Sequence, residues 1–212
     1  MTGQDLIKEI LMFVPEVRGS VDTVKAWINQ AIRDIESVED WGYMVTTKPE
    51  TAASEIQSPL DMSSDRPKRV FAFFIDGKQL TPIEPFSEFS KIALGGSGYV
   101  FYGLENDRLH WKPATPIPSG TSYEIRFYAR SAEVDESTSD NWLLNNAYSL
   151  VKYKTLMHAA AYTKNVDMLQ QYGGLYQLEL ETLRSRFGIM TDLEKQMQSG
   201  RSQQQITSGG SQ

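Results

Sequence analysis

The stretch that decides the fold is "GSVDTVKAWINQAIRDIESVEDW", residues 19–41. Its apolar residues recur at the three- and four-residue spacing of a helix: Val21, Val24, Ile28, Ala31, Ile32, Ile35 and Val38. The opposite face is charged: Lys25, Arg33, Asp34 and Glu36. Ser20 is placed to cap the start of this helix, with Asp22 in its first turn. An amphipathic helix must bury its apolar face, so the rest of the chain has to supply a partner.

Helical patterns also occur at both ends of the chain. A short helix is predicted before Pro15, and a longer one over residues 140–164 with Ser139 or Asp140 as its cap. Residues 166–187 give a further helix with one apolar stripe: Val166, Leu169, Tyr172, Tyr176, Leu180, Leu183 and Phe187. The pair Gly173-Gly174 inside it predicts a kink or a close helix crossing, or else a loop that splits the helix in two.

The middle of the chain has the two-residue period of β-strands. Asp76-Gly77 lies between two β-prone runs and predicts a hairpin, and a second hairpin is expected to turn near residues 105–107. The run "TSYEIRFYAR" alternates strictly, with Tyr123, Ile125 and Phe127 on one face and Glu124, Arg126 and Tyr128 on the other. This region is predicted to form a small antiparallel unit, either a sandwich or a strongly twisted sheet.

Together these patterns predict an α+β fold. Residues 1–42 and 131–189 are expected to form one helical bundle, because helices from both ends most simply pack together, and residues 43–130 are an inserted antiparallel β unit. Residues 190–212 are rich in Gln, Ser and Gly and are predicted to be an extended C-terminal arm. Such a composition cannot offset its own ordering entropy by self-burial, so the arm needs a partner.

Composition excludes several classes of function. The 212 residues carry a formal charge of −6, which argues against a general nucleic-acid binder. The chain has no cysteine, so disulfides, thiolate metal sites and cysteine nucleophiles are excluded. No run has the pattern of a secretion signal or the length of a membrane span, and we expect a chain made in the cytoplasm without membrane contact.

The sequence offers little chemistry. The chain has only two histidines: His110 is expected at a strand edge, and His158 at an interface or the edge of a core. Neither stands in a metal-binding or triad pattern, and the glycine loop at residues 93–100 lacks the Lys-Ser/Thr of a phosphate cradle. The acidic residues near the end of the first long helix, Glu36, Glu39 and Asp40, are expected to be solvated. We therefore predict no catalytic residue, no metal and no cofactor.

Two further groups of residues admit more than one interpretation. The basic cluster Arg66, Lys68 and Arg69 is either ordinary surface or a contact for phosphate or an acidic partner. Four tryptophans are expected to anchor cores or subunit contacts: Trp27, Trp41, Trp111 and Trp142. If Trp111 were exposed together with Tyr99 and Tyr102, these aromatic residues could instead form a platform for sugars.

Three stretches carry a resemblance to a known family: "DTVKAWINQAIRDIESVEDW" (residues 22–41), "LHWKPATPIPSGTSYEIRFYAR" (109–130) and "SDNWLLNNAYSLVKYKTLMHAAAYTKN" (139–165). They resemble the head-to-tail adaptor, or connector, proteins of tailed bacteriophages, a family related to tail tubular protein A and the gatekeepers. The resemblance spans roughly residues 5–190.

The resemblance implies a structural protein of the virion, located where head meets tail. Such adaptors form a ring, usually of twelve copies, beneath the portal protein. The ring extends the DNA channel and docks the next tail, nozzle or tube protein. DNA passes through the lumen without sequence-specific binding, and an acidic chain suits this role because it does not hold phosphates.

The resemblance also suggests residues for two contacts. The C-terminal arm corresponds by position to a portal-docking arm, with Met197, Arg201, Gln204 and Ile206 as candidate contacts. The helix at residues 139–162 is interpreted as a packing helix, with Trp142, Tyr148 and Ala160 as candidate subunit contacts. Two competing hypotheses are a carbohydrate-binding β module of a tail-associated protein and a small hydrolase that uses His110 or His158.

Overall fold

A computed structural model of the chain describes residues 2–15, 20–83, 86–91, 100–112, 116–138 and 141–187. It divides into two compact units. The helical unit contains the residues up to Tyr43 and those from Ala132 onward, and the β unit is Met44–Ser131. The fold is α+β, as predicted. The predicted C-terminal arm, with Met197, Arg201, Gln204 and Ile206, lies outside the described residues.

Among the described residues the helical unit has five helices: α1 (Gly3–Phe13), α2 (Val21–Val38), α4 (Trp142–Asn146), α5 (Tyr148–Thr163) and α6 (Val166–Phe187). A short helix, α3 (Phe86–Lys91), belongs to the β unit. Helix α5 is the centre of the helical unit because it packs against α1, α2 and α6. The prediction that helices from both ends of the chain pack into one bundle is confirmed.

Helix α2 buries the predicted apolar stripe except at its ends, where Val38 is exposed. The expectation that Glu36 is solvated is wrong, because its side chain is only 2% exposed. The residues after α2 cover its last turn: buried Trp41 donates its indole N–H to the carbonyl of Ile35 at 2.9 Å. Ser20 precedes the helix but pairs its hydroxyl with that of Thr23 rather than capping the backbone.

The single helix predicted over residues 140–164 is interrupted at Ala147, which separates α4 from α5. The cap is Asn141, whose side-chain oxygen accepts the N–H of Leu144 at 3.2 Å; Ser139 and Asp140 lie outside the described residues. The Asn146 amide donates to the carbonyl of Trp142 at 3.0 Å. Asparagine side chains compete in this way for backbone groups, and this favours a break after one turn.

Helix α6 runs without interruption through Gly173 and Gly174, so the proposed splitting loop is wrong. A Cβ added at Gly173 would lie 3.9 Å from the Met157 side chain of α5, whereas none of the described atoms would lie within 4 Å of one at Gly174. The first glycine therefore faces α5 and the second faces away from it. The turn between α5 and α6 places Lys164 in the left-handed region, with φ of 55°.

The described residues of the β unit form two four-stranded sheets. Their strands are β1 (Val45–Thr51), β2 (Leu60–Asp61), β3 (Pro67–Ile75), β4 (Lys78–Gln79), β5 (Thr81–Pro82), β6 (Val100–Glu105), β7 (Arg108–Lys112) and β8 (Ser122–Ala129). The strand orders are β1-β8-β3-β4 and β2-β7-β6-β5. Both predicted hairpin turns are confirmed: Asp76-Gly77 joins β3 to β4 and Asn106-Asp107 joins β6 to β7, all four with positive φ.

One strand pair departs from the predicted antiparallel arrangement. Strands β5 and β6 are parallel, with Thr81 opposite Val100 and Pro82 opposite Phe101. A parallel pair needs a crossover connection, and α3 lies in the part of the chain between these two strands. The other pairings are antiparallel.

The two sheets pack face to face as a sandwich. Phe73 of the first sheet contacts Phe101 and Trp111 of the second, with ring centroids 6.2 and 5.7 Å apart. The strict alternation predicted for β8 holds for its inner face, but Tyr128 of the outer face is also buried. The Phe71 ring lies 5.0 Å from the Tyr128 ring, and the Arg69 guanidinium lies 5.3 Å above it.

Candidate subunit-packing surface of the helical unit

Tyr148, one of the three predicted packing residues, ties α5 to α1. Its hydroxyl donates to Oε2 of Glu9 at 2.5 Å, and Nζ of Lys152 donates to Oε1 of the same carboxylate at 2.5 Å. Partial burial works to raise the pKa of Glu9, but the hydrogen bonds from Lys152 and Tyr148 outweigh it and hold that pKa below its ordinary value. Burial and the Glu9 carboxylate together raise the pKa of Tyr148.

A second polar cluster ties α5 to α2. Asp34 of α2 lies 3.0 Å from Nζ of Lys154 and 3.1 Å from Nε2 of His158, and it accepts a hydrogen bond from the Gln30 amide at 2.7 Å. Burial lowers the pKa of His158 despite the nearby carboxylate. His158 therefore lies between α5 and α2, beside the Asp34 carboxylate.

Trp142 and Ala160 also contact their own unit. The Trp142 ring stacks on Tyr43 with centroids 4.1 Å apart and planes 6° apart, and it meets the edge of Phe187 at 4.8 Å. Ala160 is fully buried in the helical core. The role of Trp142, Tyr148 and Ala160 in packing between subunits stays a prediction. Burial chiefly, with the Glu36 carboxylate adding to it, raises the pKa of Tyr43.

The helical unit exposes large apolar side chains, and three of them, Val38, Val166 and Leu169, belong to the apolar stripes predicted from the sequence. Met12 is 76% exposed and Leu178 is 65% exposed. The other members of this group are Phe13, Val38, Tyr162, Val166, Leu169 and Leu175. A sequence signal was available in α6, because Leu175 and Leu178 fall off the stripe of residues that faces the core. Where such side chains form a contiguous patch, that patch is a candidate surface for contact with another chain.

The β unit has a cleft of about 600 Å³, and four of the polar side chains that line it are hydrogen-bonded in pairs. The Tyr123 hydroxyl donates to the carboxylate of Glu50, and Nε of Arg126 donates to Oε1 of Glu124 at 2.6 Å. The Tyr123 hydrogen bond is the main reason that the pKa of Glu50 lies below its ordinary value. The bond between Tyr123 and Glu50 links β8 to its neighbour β1.

The proposed sugar platform fails at Trp111, which is only 1% exposed and lies in the core of the sandwich. Its indole contacts Phe73, so the expectation that it stacks on a glycan is wrong. Tyr99 and the side chain of Tyr102 lie outside the described residues. His110 is partly buried on β7, with Nε2 3.6 Å from the Glu105 carboxylate; burial lowers its pKa.

Within the parts of the chain that the structure describes, no group of three or more acidic or histidine residues could hold a metal ion. In the same parts, no helix has both the length and the apolar character that crossing a membrane requires.

The exposed apolar side chains of the helical unit are a feature of proteins that pack against other chains. Comparison with family models identifies the class: the chain belongs to the SU10 adaptor protein family, whose model matches residues 1–204. The predicted resemblance to phage adaptors is confirmed. A search of curated proteins found no match.

Membership of this family makes the chain a phage adaptor protein, a structural component of the virion that interacts with portal and tail components. The family implies a role without catalysis.

Proposed function

We propose that copies of this chain assemble into a ring, of twelve subunits, beneath the portal of a tailed phage. The ring extends the DNA channel and docks the next tail, nozzle or tube protein at the head–tail interface of the virion. The observation that carries the proposal is the exposure of large apolar side chains on α1 and α6 in a family of adaptors. A second chain would bury them.

The charge distribution supports a conduit for DNA. Residues 44–131 contain ten Lys and Arg and ten Asp and Glu, so the β unit is formally neutral. The whole net charge of −6 therefore belongs to residues 1–43 and 132–212. Tight phosphate binding needs many cations, and an acidic lining lets DNA slide without sequence-specific contact.

The proposal assigns a role to each part of the chain. Residues 1–42 and 131–189 form the bundle that packs in the ring, and residues 43–130 form the inserted β unit. Residues 190–212 form the arm that docks on the portal, through Met197, Arg201, Gln204 and Ile206. Their polar composition supports binding to a partner surface over self-burial.

Deletion of residues 191–212 tests the arm. The truncated chain should keep the thermal unfolding midpoint of the full chain, because the described core ends at Phe187. It should fail to co-sediment with portal rings or with capsids that lack a tail. The matched control deletes only residues 207–212 and retains the four candidate contacts, so it should attach. Normal attachment of the longer deletion would contradict the assignment.

A further inference from the structure

We infer that neighbouring subunits meet head to tail through two surface patches of the helical unit. The α1 patch is Lys8, Met12 and Phe13; the α6 patch is Gly174, Leu175, Leu178 and Glu181. The α1 patch of one copy packs on the α6 patch of the next. The inference rests on the proposed ring and specifies which surfaces close it.

Two members of the α1 patch, Lys8 and Met12, lie on the solvent side of the helix, and Phe13 borders them at its C-terminal end. Leu6, Ile7 and Ile10 form the buried face of α1. Lys8 and Met12 are four residues apart, so they lie one above the other on the exposed face. Phe13 is 47% exposed, and Nζ of Lys152 lies 5.2 Å from its ring centroid. A cation over an aromatic face fixes the ring in place at the surface.

The α6 patch lies on the side of α6 that faces away from α5. Tyr176, Leu180 and Leu183 form the buried face of this helix. Leu175 and Leu178 are exposed, and Gly174 stands one turn before Leu178 with open space where a side chain would project. Exposed Glu181 follows one turn after Leu178. The patch therefore combines a gap, two leucines and a carboxylate.

The two patches lie on different flanks of the central helix α5. Tyr148 and Lys152 of α5 contact α1, whereas Tyr153 stacks on Tyr172 of α6 with centroids 6.0 Å apart. At 3.6 residues per turn, the face of residues 148 and 152 is about 140° from the face of 153 and 157. One subunit therefore presents the patches in nearly opposite directions, which suits a head-to-tail ring and not a two-fold dimer.

The patches are complementary in charge and shape, and this favours a second copy as the partner. Each apolar centre is bordered by one exposed charge, Lys8 on α1 and Glu181 on α6, and the two charges have opposite sign. The unbranched side chain of Met12 adapts to irregular gaps and can fill the space beside Gly174. Every copy carries both patches, so pairing them leaves neither uncovered in a closed ring.

The test uses two variants of the full chain, Met12→Glu and Leu178→Glu, with assembly on isolated portal rings measured by native mass spectrometry. Both side chains are exposed, so the substitutions should leave the thermal midpoint nearly unchanged. Each variant alone should associate about tenfold or more weakly, because a carboxylate is buried in an apolar contact. Mixed without portal at high concentration, they should form dimers and nothing larger, because the pair retains one intact interface.

A charge exchange between the two patches provides an independent test. Lys8→Glu and Glu181→Lys should each weaken assembly, and the double variant should recover most of it. The matched control Ala26→Glu adds a charge to an exposed site on a different helix, α2, and it should assemble like the unaltered chain.

The outcomes separate this inference from the proposed ring. Normal ring assembly by Met12→Glu and Leu178→Glu would overturn the interface and leave the ring intact. Rings that form but no longer attach to the portal would make the α6 patch a portal contact, which also overturns the inference. An unaltered chain that stays monomeric with portal rings present would instead contradict the proposed function.

Discussion

The helical unit and the β unit differ in how completely each satisfies its own surface. Every large apolar side chain found exposed among the described residues belongs to the helical unit, as does the entire net charge of the sequence. The β unit is formally neutral, and its aromatic core closes between two sheets. The β unit thus buries its large apolar side chains within itself. We expect the helical unit to bury its exposed ones against partner chains.

The largest effect on stability is expected at Trp111, in the core of the β unit. Trp111→Ala removes a fully buried indole from between the sheets and should lower the free energy of unfolding by about 3–5 kcal/mol. Urea denaturation followed by circular dichroism measures this loss. The control Leu178→Ala truncates an exposed residue of the helical unit and should change stability by less than about 0.5 kcal/mol. Equal losses in the two variants would contradict the contrast between the units.

A smaller effect is expected at two glycines of the helical unit. Gly3 begins α1, and a Cβ there would lie 2.1 Å from the carbonyl oxygen of Asp135. Gly3→Ala should therefore displace the start of α1 from the Asp135 backbone and lower the free energy of unfolding by about 1–3 kcal/mol. Gly174→Ala meets no described atom within 4 Å and should stabilise α6 by about 1 kcal/mol through helix propensity. Thermal melts of both variants compare them, and opposite signs are the expected result.

The smallest effect concerns pH and the cluster between α1 and α5. The pKa of Glu9 is lowered in the folded chain, so its contribution to stability is present above its ordinary value of 4.5 and is lost as the pH falls through the lowered one. Glu9→Gln should cost no more than about 1 kcal/mol at neutral pH. It should also flatten the decline in stability below pH 4.5, measured by urea midpoints across pH. An unchanged acid profile would show that this carboxylate does not stabilise the docking of α1.

Much of the fold could be predicted from patterns of neighbouring residues. The turn at Asp76-Gly77 was predictable because a type I′ turn needs two positive φ angles, and that sequence adopts them readily. The stripe of α2 was predictable because its spacing spans five turns of one helix face. Both depend on neighbours within a few residues, which the sequence places together in any fold.

Local patterns did not predict burial that depends on contacts distant in sequence. Trp111 is buried because Phe73, on a strand of the other sheet, packs against it. The candidate packing surface was missed because the stripe of α6 predicts which residues face α5. It does not reveal that Leu175 and Leu178, off that stripe, stay uncovered.

The sequence alone determined the division into helical ends and a β insertion, the absence of thiol chemistry and the kinship with phage adaptors. These depend on residue type and on periodicity, which are local properties of the chain. Only the tertiary structure decided which apolar and charged side chains remain at the surface of each unit. Burial depends on what packs against a residue from distant parts of the chain, and no local pattern specifies that partner.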